Sequence, residues 1–438
     1  MRFPRTEKTA RALGAFGKDR HGGAAIVMAV AMPVVLGGLA FGSEVAFWEF
    51  EKRSLQNEAD TAAFAAGTQV RSGADEDVIV AAAVYVAAES GFEGGGDNIT
   101  VEYPPATAPP AADGTDVNGD DAYVYVTLNQ TLERRFTKFF SSDDTVSFTA
   151  SAIAQIESGR PACVLALHPS AAGAVSTGGS TNVELTGCDI AANSISSSAI
   201  SANGNGSSVA AECISAVGDV SVNNTYDLVC PEPISNAPLT ADPYRQTPTP
   251  ATGDCTSTNT FNQFPNQGSG NVRCYSGSAG GVTVGNATLA SNTTYVFRNT
   301  GANQLTWRIN GNRTVSGTNV TLVFIGNWSV QANGGSTLNI TAPMTGPYRG
   351  LAIYGDRAAN VDIDISGNNV GKIVGAVYSP NRNSHITYTG SSQTYSAGQC
   401  TQVIGGTVEF TGNSDFNTDC SASGTTAIMA GQSVKIVG

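Results

Sequence analysis

The chain has few charged residues and few histidines. Charged side chains make up 13% of its 438 residues, about half the share of roughly 25% in an average soluble protein. The net charge is −13, so the chain lacks the surplus of Lys and Arg that neutralises nucleic-acid phosphates. The three histidines are His21, His168 and His385. This scarcity argues against a nucleic-acid partner and against a histidine-rich metal site.

Motifs of common enzyme sites are also missing. There is no nucleophile-elbow motif and no phosphate-binding loop. A Ser–His–Asp site would depend on His168 or His385, and His168 follows a strand directly, as a turn residue does. Groove chemistry on glycans needs clustered carboxylates or a basic residue, and the candidates fit turns or strand edges: Asp356, Arg357, Asp362 and Asp364. We therefore expect no enzyme, no catalytic residue and no cofactor.

Cysteine is absent from the first 162 residues. All eight cysteines come later: Cys163, Cys188, Cys213, Cys230, Cys255, Cys274, Cys400 and Cys420. No pair has the C-x-x-C spacing of zinc or thioredoxin-like sites. An even number confined to one part of the chain indicates disulfides in an exported region.

A long uncharged run follows a basic head. Residues 1–21 carry six basic and two acidic side chains, and residues 22–43 carry no charge. Twenty-two residues form a helix of about 33 Å, enough for a hydrocarbon core of about 30 Å. The positive-inside rule puts residues 1–21 in the cytoplasm and the body outside. We expect a single-pass inner-membrane anchor rather than a cleaved signal peptide, whose apolar core is shorter, at about 7–15 residues.

The anchor leads into a stalk and a small domain. The sequence predicts a membrane helix and stalk over residues 22–70, then a helix-plus-sheet region over 71–158. Within that region we expect one helix and three strands: 75–89, 99–103, 122–128 and 145–156. Asp116, Asn118 and Asp120 imitate the start of a calcium loop, but Asp121 and Thr127 stand where that loop requires Gly and Glu. An Asn-Gly turn is therefore expected, and no metal.

The stretch from Gly22 to Gly67 carries a family resemblance. It reads GGAAIVMAVAMPVVLGGLAFGSEVAFWEFEKRSLQNEADTAAFAAG. An apolar helix with a proline runs into a short charged stretch and an Ala-rich segment. This resembles the N-terminus of the TadE/TadG-like proteins of Flp (tight-adherence) pilus systems. The resemblance implies a pseudopilin-like subunit whose partners are the inner membrane and other Tad/Flp pilus subunits.

Two features of that family are missing. TadE-type pseudopilins carry a Glu about five residues after the processed Gly, and that zone here is Ala-Ile-Val-Met-Ala. We therefore expect the N-terminal segment to be kept. TadG proteins often have a von Willebrand A domain with an Asp-x-Ser-x-Ser metal site. The nearest strings, which begin at Asp219 and Asp362, lie in strand-like runs, so we expect no such metal site.

Residues 159–438 have the texture of an all-β domain. Short apolar runs alternate with Gly, Asn, Ser and Thr turns, and Cys163, Cys188 and Cys213 follow each other at intervals of 25. A period of 25 without helices predicts stacked coils. The fold class is therefore α+β with a large parallel β-helix, and a β-sandwich is the alternative. Stretches that begin at Cys163 and Gly346 also resemble the C-terminal region of TadG-related proteins.

The coil period also guides the disulfide pairing. Strands on neighbouring coils lie about 4.8 Å apart, within the Cα range of about 4.4–6.8 Å that a disulfide accepts. Cys163–Cys188 with Cys213–Cys230 is favoured, and Cys188–Cys213 with Cys163–Cys230 satisfies the same ladder. Proximity favours Cys255–Cys274 and Cys400–Cys420.

These observations predict a non-catalytic, membrane-anchored structural or assembly subunit of a bacterial Flp/Tad pilus, with a role in assembly, anchoring or adhesion. Its body would be periplasmic or on the cell surface. The alternative is a membrane-anchored β-helix that binds or cleaves a surface glycan. Seven aromatic residues would line the groove if the protein binds glycan and would otherwise pack on a β surface: Trp307, Trp328, Tyr348, Tyr354, Tyr378, Tyr388 and Tyr395.

Overall fold

The structure is a computed structural model, and two compact units make up the chain. It describes residues 22–178, 181–203, 208–222, 226–250, 255–258, 260–261, 272–277, 281–309, 311–332, 334–366, 371–389, 399–411, 414–417, 420 and 423–438. Within this part of the chain, unit 1 comprises residues 22–67, 76–155 and 436–438, and unit 2 comprises residues 68–75 and 156–435. The basic head, residues 1–21, lies outside the described residues.

The described part of the chain contains two α-helices and many short strands. The helices are α1 (Gly22–Arg71) and α2 (Glu76–Glu89). The first strands are β1 (Ile99–Glu102), β2 (Tyr123–Glu133), β3 (Thr145–Glu157), β4 (Arg160–Ala166), β5 (Val175–Gly178), β6 (Asn182–Thr186), β7 (Asp189–Ala192), β8 (Ile200–Asn203), β9 (Ser208–Ala211), β10 (Ile214–Ala216), β11 (Val220–Val222) and β12 (Tyr226–Leu228). The next are β13 (Thr256–Thr258), β14 (Thr260–Phe261), β15 (Val272–Gly277), β16 (Val282–Val284), β17 (Ala287–Thr288), β18 (Thr293–Arg298), β19 (Leu305–Ile309), β20 (Thr314–Gly317), β21 (Val320–Ile325) and β22 (Trp328–Ala332). The last are β23 (Thr337–Thr341), β24 (Leu351–Gly355), β25 (Val361–Ser366), β26 (Ile373–Ser379), β27 (His385–Thr389), β28 (Thr401–Gly405), β29 (Thr407–Phe410), β30 (Ser414–Asn417), β31 (Ile428–Ala430) and β32 (Ser433–Ile436).

Unit 1 is built on the long helix α1, whose two halves differ. The first half is apolar and exposed, and α1 is long and apolar enough to cross a membrane. The second half buries one stripe of small side chains and a leucine: Leu55, Ala59, Ala62, Ala63 and Ala66. This stripe follows the helical spacing of three and four residues, because residues at that spacing share one face. The predicted membrane helix and stalk are therefore one continuous helix.

The sheet of unit 1 has four strands in the order β1-β2-β3-β32. The first two pairs are antiparallel. The fourth strand comes from the C-terminus, where Val437 N donates to the Ile153 carbonyl over 2.8 Å. The three strands expected from the sequence are present, and the C-terminal strand was not expected.

Unit 2 is a parallel β-solenoid, which confirms the α+β class and makes the β-sandwich alternative wrong. Sheet B contains β13, β15, β18, β21, β24, β26, β28, β4, β7 and β10, and sheet C contains β14, β16, β19, β22, β25, β27, β29, β5, β8 and β11. A third side is formed by sheet D (β30, β6, β9 and β12) and by a row of β17, β20 and β23 beside β26. Val175 pairs with Ile200, so the period of 25 corresponds to one coil there.

The coils do not stack in sequence order. The chain enters the stack in its middle at β4 and proceeds through β7 to β10 at one end. It resumes at the opposite end with β13 and returns through successive coils to β28, which pairs in parallel with β4 at Val403 and Val164. Residues 231–250, called the strap below, connect the two runs. The first coil is thereby paired on both sides.

The two main sheets differ in burial. Every residue of β26 is buried, whereas β25 alternates between buried and half-buried side chains. Parallel strands that are covered on both faces read as continuous apolar runs, and strands with one wet face alternate. The strap contributes to the outer cover of sheet B, because Tyr244 packs in one apolar cluster with Tyr348, Tyr354 and Tyr378.

Candidate functional site

A carboxylate at the end of the apolar run joins helix α1 to the hairpin between β2 and β3. Glu44 is the first charged residue after the run and is only 4% exposed. Its carboxylate accepts three backbone N–H groups, from Arg135 at 2.5 Å, Phe136 at 3.1 Å and Thr137 at 2.6 Å. Hydrogen bonds to an ionised acceptor are among the stronger ones in proteins. Glu44 therefore fixes the hairpin tip, residues 134–144, to the helix.

Two arginines of the hairpin tip reinforce this contact. The Arg134 guanidinium lies over the Trp48 ring at 5.3 Å, and that of Arg135 lies over the Phe47 ring at 4.9 Å. Both distances allow cation–π attraction. Trp48 and Phe47 lie within the predicted stalk, residues 22–70, and no sequence pattern connects them with residues about ninety positions later. The sequence signal that could have indicated this contact was an isolated Glu, Glu44, at the end of a long uncharged run.

The carboxylate candidates of unit 2 are not gathered into one site. Asp362 lies on the outer face of sheet C, where it accepts from Gln304 Nε2 at 2.8 Å and from the His385 backbone N–H at 3.0 Å. Asp364 is two residues further along the same strand and lies on the same side, as expected. The His385 ring contacts Thr407 at 2.7 Å and Glu409 at 3.2 Å. Asp362 and His385 are thus engaged in contacts between neighbouring coils.

Asp356 and Arg357 have structural contacts at the end of β24. Asp356 accepts from the backbone N–H groups of Gly326 at 3.1 Å and Ala358 at 3.0 Å. Arg357 instead holds the strap: its Nη1 lies 3.0 Å from Oδ2 of Asp242, and its Nη2 donates to the Tyr244 carbonyl. These contacts fit the turn positions that the sequence indicated.

The strap is fastened over sheet B by a buried polar cluster. The Tyr378 hydroxyl donates to Asp242 Oδ2 at 2.7 Å, and the Arg357 guanidinium lies over the Tyr378 ring at 5.3 Å. The Tyr348 hydroxyl donates to the Pro248 carbonyl at 2.8 Å. Burial, together with the neighbouring carboxylate of Asp242, strongly raises the pKa of Tyr378, and burial raises that of Tyr244 to about 12. Both phenols therefore stay neutral and keep their hydrogen bonds.

The aromatic residues considered for a glycan groove are buried. Trp307 and Trp328 lie inside the solenoid and contact Phe324 edge-on, with centroids 5.7 and 5.9 Å apart. The remaining described candidates are at most 6% exposed: Tyr348, Tyr354, Tyr378 and Tyr388. Tyr395 lies outside the described residues. The six described rings therefore pack in the protein and form no exposed stacking surface.

The remaining site hypotheses resolve into turns. His168 Nδ1 accepts from the backbone N–H groups of Ser170 and Ala171, so His168 is the turn residue that was expected. In the calcium-like loop, Asp116 accepts from the Asn118 backbone N–H at 3.2 Å. Asp219 accepts from the Val220 backbone N–H, and Asn223 of the same string lies outside the described residues. Among the residues that the structure describes, no group of three or more His, Cys, Asp or Glu is arranged to hold a metal.

All eight cysteines form disulfides. The pairs are Cys163–Cys188, Cys213–Cys230, Cys255–Cys274 and Cys400–Cys420, with Cα separations between 4.7 and 5.7 Å. Of the two open arrangements for the first four cysteines, the structure has the one that the spacing favoured. Cys213–Cys230 lies at one end of the stack and Cys255–Cys274 at the other, so each fastens a terminal coil.

The contact between Glu44 and the hairpin tip is the feature of the molecule that sequence reasoning missed and that bears most on function. It lies where the uncharged run ends, in a unit whose longest helix suits a membrane. Comparison of the chain with protein-family profiles, with curated proteins and with solved structures gives no match.

Proposed function

We propose that this chain is a non-catalytic, membrane-anchored structural or assembly subunit of a bacterial Flp/Tad pilus system. One observation carries the proposal: α1 is a single helix of 50 residues whose first half is apolar and exposed and whose second half packs in a helix-plus-sheet unit. This is the arrangement that the resemblance to TadE/TadG-like proteins implies for a pseudopilin-like stem.

The contacts of unit 2 support a structural role. Three of the residues considered for catalysis, Asp356, Arg357 and Asp362, contact neighbouring coils, turns or the strap. Four disulfides and a stack whose coils all pair with neighbours suit a rigid body in an oxidising compartment. In this proposal the solenoid is an exported scaffold that assembles with other pilus subunits, with adhesion as a further role.

Topology follows from the charge of the head. The N-terminus is cytoplasmic, α1 crosses the inner membrane once, and both units lie in the periplasm or at the cell surface. A reporter that is active only in the periplasm should work when fused after Gly438, and a cytoplasmic reporter should not. Activity of the cytoplasmic reporter alone would show that the anchor is wrong.

The pilus role has its own test. Deletion of the gene should abolish or strongly reduce Flp pili in electron micrographs, and the full chain should restore them. Neighbouring genes for a secretion ATPase and a prepilin peptidase would support the assignment, and normal piliation of the deletion strain would contradict it. Sequencing of the mature N-terminus checks the expected retention of residues 1–21; a start at Gly23 or Ala24 would move the protein to the polymerising class.

A further inference from the structure

The hairpin tip exposes aromatic side chains to an unusual degree. Phe139 and Phe140 are 80% and 91% exposed, and Phe136 is 47% exposed. Large apolar side chains that are adjacent and this exposed indicate an interaction site more often than ordinary surface. A short turn holds them in place, because the Phe140 N–H donates to the Thr137 carbonyl over 2.9 Å.

The hairpin runs along α1 towards the apolar half of the helix. Gln56 Nε2 donates to the Ser151 carbonyl over 2.9 Å, and Glu44 binds the backbone of residues 135–137. Between these two contacts α1 rises by about 18 Å. The hairpin covers a similar distance, because Thr127 pairs with Ser151 and Glu133 pairs with Thr145, six residues or about 20 Å along the strand. The tip therefore lies level with the end of the uncharged run.

The charges of the hairpin tip suit a phospholipid surface. Arg134, Arg135 and Lys138 are interleaved with the phenylalanines along the sequence of the tip, and the two acids of the tip, Asp143 and Asp144, lie at its base next to β3. Basic and aromatic side chains together are typical of segments that lie in the membrane interface, where rings enter the headgroup boundary and cations meet anionic phosphates.

We propose that the hairpin tip is a second membrane contact, which inserts Phe139 and Phe140 into the interface of the leaflet next to the body and holds Lys138 at anionic lipid headgroups. The proposal depends on the anchoring part of the proposed function and adds a binding site to it. Because Glu44 fixes the tip to α1, this contact limits how far unit 1 tilts against the bilayer.

The test uses the full chain in vesicles of phosphatidylcholine and phosphatidylglycerol, with and without brominated acyl chains. Bromine quenches tryptophan only at short range, so the fluorescence added by Phe140→Trp relative to the parent reports whether position 140 enters the bilayer. Tyr85→Trp is the matched control, because Tyr85 is 65% exposed on α2. Ser90, the residue that follows α2, contacts Thr61 of α1. Thr61 lies about 26 Å along α1 from Glu44, so this end of α2 is remote from the end of the uncharged run.

We expect roughly twofold quenching of the added Phe140→Trp signal and no quenching of the Tyr85→Trp signal. Lys138→Glu in the Phe140→Trp background should reduce quenching in anionic vesicles and leave it unchanged in neutral ones. Equal, unquenched signals at both positions would overturn the proposal. Unquenched signals together with crosslinking of position 140 to another protein in cells would overturn it as well, because the tip would then contact a protein.

Flotation after alkaline carbonate extraction separates the two hypotheses. If the protein leaves the vesicles, the anchor itself is wrong, and the proposed function loses its basis. If the protein stays with the vesicles and Phe140→Trp remains unquenched, the anchor stands and the second membrane contact is wrong.

Discussion

Replacement of Asp242 should loosen the strap that closes the solenoid. Its Oδ2 accepts from the Tyr378 hydroxyl at 2.7 Å and from Arg357 at 3.0 Å, and its Oδ1 accepts from the Tyr244 backbone N–H at 3.0 Å. Asp242→Ala removes all three bonds at once. The Tyr378 side chain is fully buried, so water does not replace the lost partner.

The expected cost follows from these contacts. A buried hydroxyl that loses its partner costs about 1–3 kcal/mol. The Arg357 side chain is 32% exposed, so solvent screens this ion pair, which adds at most about 1 kcal/mol. We therefore expect a loss of about 3 kcal/mol in the free energy of unfolding. For a unit of about 290 residues this lowers the Tm by about 5 °C.

The measurement is thermal unfolding of the full chain in detergent micelles, followed by tryptophan fluorescence. Trp307 and Trp328 are fully buried in the solenoid and report its unfolding. Asp227→Ala, at an exposed position of β12, is the control and should leave the Tm unchanged.

A double-mutant cycle gives the sharper result. Tyr378→Phe alone should cost about 1 kcal/mol, because Asp242 keeps Arg357 as a partner. In the Asp242→Ala background the same change should be neutral or stabilising, since it removes a hydroxyl that is already unpaired. If the stability losses of Asp242→Ala and Tyr378→Phe add independently, the two residues are not coupled, and their hydrogen bond does not fasten the strap.

Three further predictions concern other parts of the chain. Burial raises the pKa of Asp189 above its ordinary value of 3.8, although a neighbouring arginine opposes the shift. At a pH between 3.8 and the raised pKa, this carboxyl therefore takes up a proton on folding. Its contribution to stability is lost as the pH rises from 3.8 through the raised pKa. The Tm of the parent relative to Asp189→Asn should accordingly fall as the pH rises from 3.8 through the raised pKa, and parallel curves would contradict the shift. Replacement of Cys255 and Cys274 by Ser should cost about 3 kcal/mol and speed hydrogen exchange in β15 at that end of the stack, with β26 as the unaffected reference. Glu44→Gln should make trypsin cleavage in the hairpin tip about ten times faster, with the exposed Glu49→Gln as the control; equal rates would show that the carboxylate does not hold the tip.

Features that depend on local pattern could be predicted from the sequence. The uncharged run of residues 22–43 has the length and polarity of a membrane helix whatever the rest of the chain does. Alternation in Val361–Ser366 and continuous apolarity in Ile373–Ser379 already distinguish a strand with one wet face from a strand buried on both. The coil period followed from cysteines 25 residues apart, because each coil returns the chain to the same face.

The pairing of distant segments could not be predicted in this way and is known from the folded structure. Val403 pairs with Val164, residues 231–250 cross sheet B, the C-terminus adds a strand to unit 1, and Glu44 binds backbone groups of residues 135–137. Backbone N–H groups carry no sequence signal, and one apolar β edge resembles another in composition. The entropy of loop closure rises only slowly with length, so separation along the chain does not favour one partner over another. Packing and hydrogen-bond satisfaction in the folded state make that selection.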